Sequence, residues 1–194
     1  MMMDWIMGIF SAFGLSASAG LNAYIPLLVI ALLAKFTPLI KLSPPWDSLT
    51  SWWIIGLLVL LALIEFFADK IPAVNHINDF IQSLIRPAAG AIVFAASAKV
   101  LTEVHPLLSI GAGLLVAGGV HAVKSVVVRP TVTAATAGTG NVVVSTAEDV
   151  VSSLVSVISV VLPAVVAAIV IVFTAWVIIR LYKRAGRDHP STSR

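Results

Sequence analysis

The chain reads as an all-α integral membrane protein of about six hydrophobic segments, with broken or short helices. Three observations carry that class. Of its 194 residues, 59% are hydrophobic and 11% charged, with a mean hydropathy of +1.05, far outside the composition of globular domains. Apolar runs able to cross a hydrocarbon core of about 30 Å recur along the whole length and leave no room for a separate soluble domain. Glycine and proline fall inside several of those runs, so the helices should be interrupted. A single transmembrane domain over residues 1–180 follows, with a basic tail at 181–194. The absence of cysteine excludes disulfides and thiolate metal sites. MMMDW at the N-terminus carries an acid and no base, so SASAG is not read as a signal-peptide cleavage site.

Segment one, Trp5 to Ala34, is too long for one simple span and should bend near Gly20, where Ala17-Ser18-Ala19-Gly20-Leu21-Asn22 places small residues and an amide at membrane depth. Lys35 to Thr50, with Pro38, Pro44 and Pro45, is a turn-rich connector. Segment two runs from the interfacial pair Trp52 and Trp53 to Ala68. From Val74 an apolar stripe (Val74, Ile77, Ile81, Leu84, Ile85) opposes a polar one (Asn75, Asn78, Asp79, Gln82, Arg86), predicting an amphipathic helix that lies in the interface or lines a wet cavity. Segment three, Ala88 to Leu101, and segment five, Thr131 to Val144, are short enough to be spans or re-entrant pieces. Segment four, Leu107 to Val128, brings Gly118, His121, Lys124 and Ser125 to one face. Ser145 with Glu148 is compatible with a capped helix start. Segment six then runs to Ile179, and its serines Ser152, Ser156 and Ser159 should face protein.

Two Arg-Pro steps, Arg86-Pro87 and Arg129-Pro130, stand out. Proline pushes its predecessor out of the helical region, so each arginine should end one helix and each proline start the next. A cation beside free N–H groups and a positive dipole end suits an anion. Thr131 and Thr133 add hydroxyls at the second corner. One corner per half, and the echo of Ala17 to Asn22 in Ala135-Thr136-Ala137-Gly138-Thr139-Gly140-Asn141, suggest an inverted 3+3 repeat, against chance recurrence of small residues in this composition.

Arg86, Arg129, Lys124, Thr131, Thr133, Asn22 and Asn141 are therefore the candidate substrate contacts. The alternative for the arginines is a place at the headgroup level, and for the asparagines the capping of backbone carbonyls. His121, Glu65 and Asp69 are the candidate coupling groups, with His121 a proton relay, a partner of those acids, or a structural residue. Glu65, Asp69, His76 and Asp79 could instead serve a cation or proton, or be a solvated loop paired with Lys70 and Arg86; their spacing matches no defined metal motif, so a metal is left open.

GLNAYIPLL, EFFADKIPAVNH followed by IRPAAG, and GGVHAVKSVVVRPTVTAATAGTGN together resemble the bacterial integral-membrane family catalogued as domain of unknown function 4126, over Gly14 to Asp149. The resemblance implies no activity. It does imply a bacterial inner-membrane setting and a shared site of Arg86, His121, Lys124 and Arg129.

No nucleophile elbow, phosphate-binding loop or metalloprotease helix is present, so an enzyme is not expected, nor is a cofactor. The leading expectation is a small secondary transporter or flippase for an anionic small molecule or lipid phosphate. A cation or proton carrier using the acids and a structural membrane subunit are the alternatives. The partners expected are the lipid bilayer and such an anion, with a homodimer as candidate assembly and no nucleic acid. Arg180, Lys183, Arg184 and Arg187 follow the last apolar run and place the C-terminus in the cytoplasm. A reporter fused after Arg194 should therefore be active only if it works in the cytoplasm; activity of a reporter that matures only outside would reverse the topology.

Overall fold

The computed structural model describes residues 2–97 and 106–162 together with positions 169 and 172, and the side chains of these apart from 2–7 and 72–77. Among the described residues every regular element is helical. α1 (Met2–Leu21) and α2 (Tyr24–Phe36) are one broken segment; a short 3₁₀ turn (Trp46–Thr50) leads into α3 (Trp52–Ala68). α4 (Pro72–Ser97), α5 (Pro106–Val123), α6 (Arg129–Thr136) and α7 (Gly140–Val161) follow, with a π turn (Lys124–Val128) joining α5 to α6. Three continuous stretches are long and apolar enough to cross a membrane: Asn78–Ser97, Pro106–Thr136 and Gly140–Val161. This is an all-α membrane protein. The tail at 181–194, Pro163 and the end of segment six at Ile179 lie outside the described residues.

The break in segment one falls at Asn22-Ala23, close to the expected bend. Asn22 Oδ1 accepts the N–H groups of Tyr24 and Ile25, both at 3.1 Å, and so satisfies donors that the new helix leaves free. The amide thus caps N–H groups rather than the carbonyls expected from the sequence. At the far end of α2, Lys35 donates to Thr50 O at 2.7 Å and lies 4.5 Å from the ring centre of Trp52, which ties the connector to α3.

Both Arg-Pro expectations fail in their local geometry. Pro87 sits inside uninterrupted α4, which fuses the amphipathic stretch with segment three into one 26-residue helix. Arg129 is itself helical, with φ −62° and ψ −47°, and Pro130 continues the same 31-residue stretch. The reason at Pro130 is the widened turn before it. Arg129 N–H reaches back to Lys124 O, five residues earlier, which gives the proline ring room where a tight α turn would clash with the carbonyl four residues back. The real break lies later, at Ala137 (φ 51°) and Gly138 (φ 88°), so segments four and five merge and the helix start moves from Ser145 to Gly140. Ser145 is buried within α7 and caps nothing.

Close approach of backbones sets the centre of the bundle. α4 packs against α5 where Gly90 faces Ala117 and Gly113 faces Gly90 and Ala91. A Cβ on Gly113 would stand 2.6 Å from Ala91 Cα and closer still to Gly90 O. α1 joins them through Ser16 Oγ, which donates to Gly90 O at 2.8 Å, and meets α7 through Ser18, whose hydroxyl lies 2.8 and 2.7 Å from those of Ser152 and Ser156. Ser152, Ser156 and Ser159 are fully buried, as their stripe predicted. On α4 the pattern is that of a membrane helix: Phe80, Ile81 and Leu84 are exposed while Gln82 and Arg86 are buried, so the polar stripe turns inward onto protein.

Gly113→Ala is expected to force α4 from α5 and cost about 1–3 kcal/mol, as overpacking typically does. Gly111→Ala, where an added Cβ meets nothing within 4 Å, is expected to cost nothing. Thermal unfolding of the two variants in one detergent compares them; equal melting would refute the close-packing account.

Candidate functional site

Glu65 and Asp69 lie one turn apart at the end of α3 and so share a face. On α4, Asp79, Gln82 and Arg86 fall at three- and four-residue spacing on the inward stripe. Five residues of α-helix would rotate Arg129 about 140° from Lys124. The π turn removes most of that offset by closing on itself five residues apart, so Lys124 and Arg129 reach the same acid, Asp69. α7 contributes Glu148.

These groups make one buried ion cluster. Arg86 gives Nε and Nη2 to the same oxygen, Glu65 Oε1, at 3.3 and 2.8 Å, and Nη2 lies 3.5 Å from Asp69. Arg129 donates to Asp79 at 2.6 Å and to Asp69 at 3.2 Å. Lys124 Nζ stands 2.6 Å from Glu148 and 3.9 Å from Asp69, and donates to Leu21 O at 3.2 Å. Asp69 is the shared acid, within 4 Å of all three cations, and Asn78 Nδ2 holds its other oxygen at 2.6 Å. His121 Nδ1 lies 3.1 Å from Arg86 Nη1; a guanidinium has only donors, so Nδ1 accepts and the ring proton sits on Nε2. A satellite pair adjoins: Lys70 meets Asp149 at 3.2 Å, and Asn22 Nδ2 donates to that acid at 3.0 Å.

The structure therefore brings together Arg86, His121, Lys124, Arg129, Glu65 and Asp69 from the sequence-based candidates, with Asn22 at the margin. It separates Thr131, Thr133 and Asn141. Thr131 Oγ1 bonds back to Val127 O on the outer surface, and Asn141 Nδ2 donates to Thr133 Oγ1 across the Gly138 turn. These hydroxyls serve helix and turn because the helix does not restart at Pro130. For the same reason neither arginine faces a free helix N-terminus; each faces carboxylates. His121 pairs with Arg86 rather than with Glu65 or Asp69. Glu65, Asp69 and Asp79 are turned to arginines, and among the described residues no group of three or more acids and histidines is arranged to hold a metal ion. The His76 side chain lies outside the described residues.

Glu148 joins the cluster although the sequence offers it only as a cap. The signal was present: extending the Ser152, Ser156, Ser159 stripe back along α7 reaches Glu148 and Ser145, all on the buried face. Beside it a groove of about 550 Å³ opens on the outer surface between α5 and α7. Its walls are Val120, Val123, Val144 and Val151, and Lys124 and Glu148 are its only charged lining residues.

The chain belongs to the family described as domain of unknown function (DUF4126), whose model matches residues 9–184. No curated protein and no solved structure matches it.

Removing one partner of a buried pair leaves the other charge uncompensated, which costs about 3–5 kcal/mol. Arg129→Ala, which takes the arginine from Asp79 and one of three cations from Asp69, should lose stability toward that range, and Arg129→Lys less, because an ammonium keeps the charge but cannot fork between two acids. Chemical unfolding in detergent reads this directly. A loss below about 1 kcal/mol for Arg129→Ala would place the cluster in the class of weak surface pairs.

Proposed function

We propose that this family member is a small secondary transporter or flippase for an anionic amphiphile, whose charged head binds at Lys124 and whose apolar part lies in the groove between α5 and α7. One observation carries the reading. Glu148 Oε2 sits between two cations, 2.6 Å from Lys124 and 3.8 Å from Arg129, at the edge of an apolar groove. That carboxylate stands where a substrate's carboxylate or phosphate would stand. When Glu148 swings aside or is neutralised, Lys124 is left facing the groove as an anion site flanked by valines, with Arg129 buried behind it. Substrate and Glu148 then compete for the same cations, and that competition is how a carrier exposes its site only in exchange for something else. In this reading Arg129 moves from a helix-start anion contact to the rear of a Lys124-centred site. Arg86 serves as the counter-ion of Glu65.

The setting we propose is the bacterial inner membrane, with the C-terminus inside and a homodimer as the assembly. An inverted repeat also stays in the proposal, now resting on the helix break just after Ala17-Ser18-Ala19-Gly20 and the one within Ala135-Thr136-Ala137-Gly138.

The test is thermal stabilisation of the protein in nanodiscs of zwitterionic lipid, with a single-chain alkyl phosphate or with inorganic phosphate as probe. The alkyl phosphate should stabilise the wild type and inorganic phosphate should not. Lys124→Ala should lose the effect. Glu148→Gln, which removes the internal competitor, should respond at roughly tenfold lower probe concentration, the factor that 1.4 kcal/mol of competition represents. Equal stabilisation of wild type and Lys124→Ala would overturn the site and leave a structural subunit as the better reading.

A further inference from the structure

The described part of the cluster does not balance. Among the described residues it holds four carboxylates, Glu65, Asp69, Asp79 and Glu148, against three cations, Arg86, Lys124 and Arg129, and the satellite pair of Lys70 with Asp149 adds nothing net. A surplus negative charge in a membrane interior is costly, and a carboxylate escapes that cost by taking up a proton. The surroundings of each acid say which one holds it. Asp69 has three cations within 4 Å and an amide on its remaining oxygen. Asp79 keeps a fifth of its side chain exposed, and Glu148 borders the groove. Glu65 differs from all of these. Its side chain is fully buried, and both Arg86 bonds converge on Oε1, leaving Oε2 with neither a hydrogen bond nor a cation. Asp79 Oδ1 and Glu148 Oε2 also lack a hydrogen bond, but the first belongs to a partly exposed side chain and the second lies 2.6 Å from Lys124.

A second observation points to the same place. Gln82, one turn before Arg86 on α4 and 2% exposed, also leaves a buried acceptor, Oε1, without a donor. Tyr24 of α2 neighbours both Gln82 and Glu65, so both unpartnered oxygens belong to the junction of α2, α3 and α4. What this junction lacks is a hydrogen.

We propose that the cluster binds one exchangeable proton, carried on Glu65 Oε2. The bound form is the neutral carboxylic acid, reached by adding H⁺ to the carboxylate; it brings the cluster to charge balance and supplies the missing donor. The groups facing Glu65 are Tyr24 from α2, Asp69 from its own element, Arg86 from α4, and His121 with Lys124 from α5 and the π turn; Arg129, Asp79 and Glu148 complete the cluster behind them. Arg86 stays fixed on Oε1 in either state, so proton release leaves a paired carboxylate. The site stands whether or not an anion binds in the groove.

Infrared spectroscopy of the full chain in nanodiscs at pH 7 tests this through the carbonyl stretch of a protonated carboxyl group, identified by its shift in deuterated buffer. The wild type should show the band, ¹³C-glutamate labelling should move it, Glu65→Gln should abolish it, and Glu148→Asp, which keeps the charge of the cluster, should keep it. Should Glu65→Gln not fold, Glu103→Gln/Glu148→Asp leaves Glu65 as the sole glutamate with the charge of the cluster unchanged and must retain the band and its ¹³C-glutamate shift. Absence of the band in wild type, its indifference to glutamate labelling, or its survival in Glu65→Gln would each overturn the proposal. So would a band that appears only when sodium is replaced by choline, since a metal cation would then hold the site.

Discussion

Seven charged side chains from α3, α4, the π turn, α6 and α7 meet inside a bundle whose outer surface is leucine, valine and phenylalanine. In such surroundings a charge without its partner costs several kcal/mol, so each helix is obliged to deliver its charge to one common depth. That obligation explains much of the rest. α3 ends as it delivers Glu65 and Asp69; α4 turns its polar stripe inward and Phe80, Ile81 and Leu84 outward. α4 and α5 touch through Gly90, Gly113 and Ala117, which lets Arg86 and His121 lie within hydrogen-bond distance.

The prolines after the two arginines are subordinate to the same obligation. In water a proline commonly ends a helix, because the freed carbonyl is hydrated at little cost. Within a membrane the continuous helix is favoured, since no solvent satisfies the groups that a break exposes. Pro87 stays inside α4, where its ring packs 3.6 Å from the Cβ that Gly118 would carry. Pro130 follows a π turn that both relieves its clash and aligns Lys124 with Arg129. The widened turn is thus part of the ion cluster, because without it one of the two cations would face away from Asp69.

The same reasoning shows what could be read from the sequence. Composition and apolar run length gave the membrane class, and the serine stripe of α7 foretold a buried face; the polar stripe of α4, expected at the interface or along a wet cavity, instead meets protein. Arg86, His121, Lys124 and Arg129 share a site, as the family resemblance implied. What could not be read was the partner of each charge. Asp79 and Arg129 lie fifty residues apart, and Lys124 and Glu148 twenty-four apart; no periodicity links such positions. The hydroxyls of Thr131 and Thr133 looked like ligands only while Pro130 was expected to start a helix. With the helix continuous, they bond to the turn before them or to Asn141 and leave the site.

Asp69 gives the cluster a way to couple its two ends. It lies 3.5 Å from the Arg86 that holds Glu65 and 3.9 Å from the Lys124 that holds Glu148. An anion that displaces Glu148 from Lys124 adds negative charge to a cluster that already carries a surplus of acids. The proton on Glu65 is then held more tightly, and by linkage a protonated Glu65 makes anion binding at Lys124 more favourable by the same factor. A neutral Glu148 would act in the same sense. In the proposed carrier that sign favours binding the proton and the anion together, which is the loaded state a symporter requires.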